Sequence, residues 1–254
     1  MKKIIMIALL AMMASCATKK KVVYFQDSAS MANVNVDSIY QHPKIQVNDL
    51  LKIDLTALEP ETLLPFRFQK TVAQQPTNMR LELLQLEGYL VDQQGSIQYP
   101  GLGLVQVGGK TTQEVQALLE KQLSKFVKDV HVKVRLVNFK FTVLGEVKAP
   151  GTYTITEETI NLPQALGMAG DLTIQGERES VLIFRQEEGV LTSKRIDLTS
   201  TDWIDSSYYY LRPNDMVYVE PNGPRVKSAG FIGNVGTVVS VVSILLSTAV
   251  IIFR

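Results

Sequence analysis

The sequence predicts an α+β protein, two β-rich modules followed by a single C-terminal apolar helix, and three observations predict it. Across residues 88–137 the hydrophobic residues repeat as strand, turn, strand, helix and strand. Across residues 139–222 short β-branched runs alternate with Gly- and Pro-containing turns around one short helical segment. Residues 231–253 then run for 23 positions without a charge before Arg254.

Composition sets the outer limits. The chain has 254 residues, enough for one large or two small domains, and 26 Lys and Arg against 25 Asp and Glu give a net charge of +1. That balance gives no sign of a nucleic-acid or polyanion surface. Cys16 is the only cysteine, which excludes an internal disulfide and a cysteine-clustered metal site.

At the N-terminus, Lys2 and Lys3 precede an apolar run over residues 4–13, then Ala14, Ser15 and Cys16. The run is too short to span a membrane as a mature helix and has the layout of a secretory signal. It resembles a lipoprotein signal. That resemblance implies that residues 1–15 are removed and that Cys16 is acylated as the new N-terminus; the alternative is an ordinary cleaved signal with a chance cysteine. Residues 16–43 then read as a lipidated linker. Within it, Lys19, Lys20 and Lys21 either attract anionic headgroups or serve as a solvated tether.

The first β-rich module is expected over residues 44–138, with residues 50–55 alternating as a strand. Pro60, Pro65 and the polar run 69–78 suggest an exposed loop, and residues 81–86 form a strand or a short helix; residues 60–87 receive no function. Gln93, Gln94 and Gly95 lie between the apolar runs 89–91 and 97–99, as in a hairpin turn. Pro100, Gly101 and Gly103 break that pattern. From Thr111 the period turns helical: Val115, Leu118, Leu119, Leu123 and Phe126 share one face, and Thr111 with Glu114 makes a capping box. Val130, Val132, Val134 and Leu136 then alternate with His131, Lys133 and Arg135, which is a half-buried strand. Gly109, Lys110 and Thr111 imitate the end of a phosphate-binding loop, but position 104, where such a loop needs glycine, is Leu. Gly108 and Gly109 read instead as the turn into the helix that Thr111 caps.

Taken together, Val47, Asn48, Asp49, Leu51, Ile53, Tyr89, Val91, Asp92, Gly95, Ile97, Pro100, Gly103, Val107, Gly109, Thr111, Glu114 and Val134 resemble the export domain of outer-membrane polysaccharide export proteins, the Wza-like capsule translocon family. Members usually carry Gly-Asp where this chain has Asn48 and Asp49, and Asn also tolerates a left-handed backbone.

The second module is expected over residues 139–222. A strand over 141–146 and a turn through Pro150 and Gly151 bring the next strand back beside it. Asn161, followed by Leu162 and Pro163, signals a helix start, and Gly170 ends that helix. Residues 181–185, 192–198 and 216–219 read as further strands. Val143, Gly145, Val147, Pro150, Gly151 and Tyr153, with the helix ending at Ala169 and Gly170 and the closing segment Arg212, Pro213, Asn214, Asp215 and Val217, resemble the soluble-ligand-binding β-grasp (SLBB) module of the same family. Some members carry two such modules and this chain shows one, which implies a shorter periplasmic ring. Trp203, Tyr208, Tyr209 and Tyr210 offer aromatic faces that suit sugar rings, or fill strand edges and subunit contacts.

A linker at 223–230 leads to the C-terminal stretch, 231–254, expected as a transmembrane helix of about 34 Å at 1.5 Å per residue. Gly233, Gly236, Thr237, Ser240, Ser243 and Ser247 fall on one stripe of it, a face for a pore or for helix contact. A plain anchor explains the length alone, a β-strand cannot close a barrel by itself, and the family resemblance implies a wall segment in a ring of helices.

No nucleophile, metal cluster or cofactor motif is recognisable. His42 precedes Pro43 in the linker, and His131 lies on a polar strand face, so no enzyme activity, cofactor or metal is expected. The resemblance implies a homo-oligomeric outer-membrane lipoprotein that forms the conduit for capsular or exopolysaccharide, with its soluble modules in the periplasm. Its implied partners are itself, the polysaccharide, the outer membrane and an inner-membrane polysaccharide co-polymerase or tyrosine kinase, with no nucleic acid. The alternative is a lipid-anchored periplasmic carbohydrate-binding or adaptor protein with a tail anchor. A glycan-acting enzyme would need activity dependent on His131 or Asp92.

Overall fold

The computed structural model of the protein describes residues 21–31, 33–35, 39–67, 88–187, 189–228 and 235–252. The expected signal at 1–15, Cys16, the segment 69–86 and Gly233 lie outside the described residues.

The first module is organised on β1 (Leu50–Thr56), which pairs antiparallel with β2 (Tyr89–Leu90) on one side and β5 (His131–Leu136) on the other. Its register sets Leu51 opposite Leu136, Ile53 opposite Val134 and Leu55 opposite Val132, so the apolar positions of both strands meet on one face. The short hairpin of β3 (Ser96–Tyr99) and β4 (Gly103–Gln106) turns through residues 100–102. This differs from the hairpin expected from the sequence. β2 goes to β1 and β3 pairs with β4, because the Asp92 carboxylate accepts the N–H groups of Gln94 and Ser96 at 2.9 and 2.8 Å and redirects the chain between two sheets.

Helix α1 (Thr112–Leu123) starts at the expected capping box, where the Thr111 hydroxyl accepts the Glu114 N–H and the Glu114 carboxylate accepts the Thr111 N–H. Val115, Leu119 and Leu123 are fully buried against the sheet. Phe126 departs from the expected face. The helix has ended by then, and its ring is 63% exposed beside Phe66, centroids 5.7 Å apart. Pro60–Phe66, expected as open loop, forms a 3-10 helix that buries Leu63 and Phe66.

The second module contains β6 (Phe139–Gly145), β7 (Gly151–Ile155), β8 (Ile160–Asn161), α2 (Leu162–Met168), β9 (Gly176–Glu187), β10 (Val190–Ile196), β11 (Tyr210–Leu211) and β12 (Met216–Pro221). Five of these strands make one sheet in the order β10-β9-β12-β6-β7, with β12 parallel to β6 and the other pairs antiparallel. The parallel pair requires a crossover, and the chain between them supplies α2, capped reciprocally by Asn161 and Gln164 with Pro163 in its first turn. Leu162, Ala165 and Leu166 of α2 pack with Phe139, Phe141, Val143, Val181, Ile183, Val217 and Val219 of the sheet. Burial of each such large side chain contributes about 1.5–3 kcal/mol.

The chain before the first module is no free linker over its described part. Phe25 N–H bonds to Leu198 O (3.1 Å) and Gln26 N–H to Thr199 O (2.7 Å), while Tyr24 and Phe25 pack against the second core. The Tyr24 hydroxyl donates to Asp171 at 2.6 Å, and the Arg178 guanidinium lies 5.3 Å from its ring centre. The N-terminal segment therefore crosses the second module before entering the first. Leu136 packs against both cores at the junction.

At the other end, the expected linker at 223–230 contains a short helix, α3 (Gly223–Ser228). The expected C-terminal transmembrane helix at 231–254 is not supported among the described residues. α4 (Val235–Ile252) has 18 residues, a length of about 27 Å, against about 30 Å of hydrocarbon core. No helix of the described residues is long and apolar enough to cross a membrane.

The β6–β12 pairing leaves no room for a side chain at Gly145. Its φ is +90°, and a Cβ placed there would lie 2.0 Å from Val219 O. Gly145→Ala is expected to destabilise the protein by roughly 3 kcal/mol or more. Urea unfolding followed by fluorescence of Trp203, the single tryptophan, buried in the second core, checks it. A variant as stable as the wild type would refute this account of the parallel pair.

Candidate functional site

A cleft of about 1050 Å³ opens between the two modules, lined by the entering segment 41–49, the turns of the first module and the β9–β10 and 212–214 turns of the second. The entering segment is stitched into place by backbone bonds. Ile45 exchanges bonds with Lys110 and Gly109 (2.8 and 2.9 Å), and Asn48 N–H reaches Val91 O at 3.0 Å. Asn48 adopts a positive φ of 68°, which turns the chain into β1. Asn138, between the two modules, accepts the Leu50 N–H (2.8 Å) and donates to Asn48 O (3.0 Å), so one side chain ties the junction to the start of β1.

Two turns of the first module form one wall. Gly108 lies against Gly95 so closely that a Cβ on it would be 2.9 Å from the Gly95 Cα, and Val107 and Gly108 both donate to Gly95 O. Gln106 locks the pair by donating to Gln94 O (3.0 Å) and accepting the Ser96 hydroxyl (2.9 Å). Gln93 and Gln94 are thereby held exposed at the rim.

Arg212 of the opposite wall is ion-paired with Glu187 and donates to Gln41 at 2.6 Å. Its own N–H goes to Asp215 at 2.8 Å, and Asp215 is paired with Arg185 at 2.7 Å, both side chains being almost fully buried. Asn214 N–H reaches Lys140 O at 2.7 Å, which sets Asn214 and Lys140 side by side on the cleft.

The aromatic residues singled out in the sequence lie elsewhere. Trp203 is buried in the second core, its indole N–H donating to Ser200 O at 3.0 Å. Tyr208 faces the Arg185 guanidinium at 4.5 Å, Tyr209 packs edge-on to Tyr210, and Tyr210 meets Tyr40 edge-on at 5.4 Å. In α4, Gly236, Ser240, Ser243 and Ser247 are exposed, and the hydroxyls of Ser240 and Ser247 donate to Gly236 O and Ser243 O within the helix. The side chain of Thr237 lies outside the described residues. His42 bonds to Gln113, and His131 is exposed at the start of β5. Among the described residues no cluster of His, Cys, Asp and Glu could hold a metal ion.

Sequence reading missed the cleft. Gln93 and Gln94 were legible only as a turn, although glutamine is not among the residues that turns favour, and that oddity is the available signal. Gln41 and Asn138 carry no local signal, since their roles depend on contacts across the chain.

At the floor of the cleft, Asp49 is 3% exposed and accepts the Gln46 N–H at 2.8 Å. Burial raises its carboxyl from 3.8 to about 6, against the opposing pull of the Gln46 N–H and Lys140. Between these values the folded protein binds a proton that the unfolded chain releases. The stability from this group is therefore full below about pH 4 and lost as pH rises through about 6. Asp49→Asn retains an acceptor and cannot ionise, so it is expected to be about 3 kcal/mol more stable than the wild type at pH 8, with no such gain at pH 4. Urea denaturation at the two pH values checks this, and the same difference at both would refute it.

Comparison with known proteins bears on the whole arrangement. Residues 38–137 match the family model described as polysaccharide biosynthesis/export protein, and residues 139–219 match the SLBB domain. The EPS I polysaccharide export outer membrane protein EpsA of Ralstonia solanacearum is 32% identical over 139 residues, covering 53% of this chain and 36% of the relative. The protein of the same name from Ralstonia nicotianae gives the same identity and coverage. The match spans about a third of the length of these curated relatives. With the export model over one module and the SLBB model over the next, the chain belongs to the polysaccharide export family that its sequence resembles.

Proposed function

We propose that the protein is a component of polysaccharide export at the outer membrane, acting as an acylated periplasmic lipoprotein whose copies assemble into a conduit for capsular or exopolysaccharide. The observation that carries this reading is the succession of an export domain and an SLBB domain in one chain. The relatives named for polysaccharide export at the outer membrane support the same assignment. The proposal gives α4 no membrane-crossing role. Attachment rests on Cys16, and the inner-membrane partner is a polysaccharide co-polymerase or tyrosine kinase.

The role is transport, with no chemical step. Asp92 spends its carboxylate on the turn it closes, and the exposed His131 stands at a strand end opposite Thr56.

Deletion of the gene is expected to abolish surface polysaccharide, and the wild-type gene to restore it. Cys16→Ala, supplied in place of the wild type, is expected to lose incorporation of labelled palmitate, to leave the membrane fraction and to fail to restore export. Undiminished polysaccharide in the deletion strain would overturn the export role, and membrane-bound, unlabelled wild-type protein would overturn the lipid anchor. The mass of the detergent-extracted protein tests assembly: a multimer is expected, and a stable monomer would remove the conduit.

A further inference from the structure

We propose that the cleft between the two modules is a glycan-binding site that holds a short segment of a hydroxyl-rich polymer. Its volume of about 1050 Å³ lies at the upper end for ligand pockets, so it has room for an extended molecule. Its chemistry is dominated by primary amides, with Gln46, Gln93, Gln94, Gln186 and Asn214 all on its lining. A primary amide carries two donors and an acceptor, and so matches a hydroxyl group that must both give and receive a hydrogen bond.

The locked and the open amides divide the work. Gln41, Gln106 and Asn138 are committed to Arg212, to Ser96 and Gln94, and to Leu50 and Asn48, and so fix the shape of the walls. Gln93, Gln94, Gln186 and Asn214 are exposed on walls already shaped, with no side-chain hydrogen bond to another described residue. They come from both modules. A ligand that bridges them must span the junction.

Charge and shape narrow the class. The Arg212–Glu187 pair cancels itself, and the remaining charged groups on the lining, Lys44, Lys140 and the buried Asp49, are of both signs. No Phe, Tyr or Trp lines the cleft, and its one imidazole, His42, is already bonded to Gln113 and set edge-on to Tyr40, so a flat base or aromatic cofactor would find no large ring to stack on. A polyanion would meet too few cations, and an apolar molecule would strand the amides without partners. A neutral or weakly charged sugar chain satisfies each condition. That the sugar is the exported polymer rests on the reading under Proposed function.

The test uses the full-length protein in detergent and fragments of the cell's own surface polysaccharide, released by partial acid hydrolysis, with maltohexaose as the unrelated glycan. Saturation-transfer NMR is expected to show contact with the fragments, and affinity is expected to fall about tenfold in Gln93→Ala/Gln94→Ala/Asn214→Ala. These side chains are exposed, and thermal unfolding of the variant serves as the control for folding. If the triple variant does not fold, Gln186→Ala replaces it, with a smaller loss expected from one amide. The proposal is overturned if the wild type binds no fragment, if the folded variant binds as well as the wild type, or if maltohexaose binds as tightly as the fragments. Complementation of the deletion strain by the wild type separates the two readings. Restored export without fragment binding removes the cleft site alone, whereas normal export in the deletion strain removes the export role.

Discussion

The buried ion pair between Arg185 and Asp215 is the constraint on which the second module and one wall of the cleft depend. Two charges taken out of water cost several kcal/mol each unless every polar atom finds a partner. Here the Arg185 guanidinium shares its one Nε–H between the two Asp215 oxygens, donates again to Asp215 through Nη2, and also donates to the carbonyls of Ser207 and Tyr210. It lies against the Tyr208 ring as well. Asp215 takes a further bond from the Arg212 N–H. A single residue of β9 thus anchors the irregular chain before β11 and the turn before β12, and that turn presents Arg212 and Asn214 to the cleft.

The junction is fixed by equally few groups. Leu136 belongs to both cores, and Asn138 bonds to both sides of the first residues of β1. The entering segment adds a third tie when Gln41 meets Arg212 across the opening. With these ties in place, the cleft takes its walls from both modules.

Local chemistry was the legible part. Periodicity and capping residues are properties of near neighbours, so α1, α2 and the strands around β1 and β6 could be read from Thr111, Asn161 and the alternating valines. Pairing was not. Nothing near residues 89–91 says that their partner is β1 and not β3, since strand partners are chosen by burial of side chains far apart in sequence. The apolar tail misled for a related reason: an uncharged run sets only an upper limit on helix length, and the helix described within it, Val235–Ile252, has 18 residues. Tyr24 and Phe25 sit in a segment that looks like tether, and only the second core shows why they are aromatic.

The docking of that segment also shortens the leash. A flexible stretch from Cys16 to residue 43 could extend about 95 Å, but a chain pinned at Tyr24 has only about 28 Å of slack from Cys16. An acyl chain on Cys16, as proposed, would therefore keep Tyr24 and the surface of the second module on which it docks within about 28 Å of the lipid, whichever way the two modules are turned.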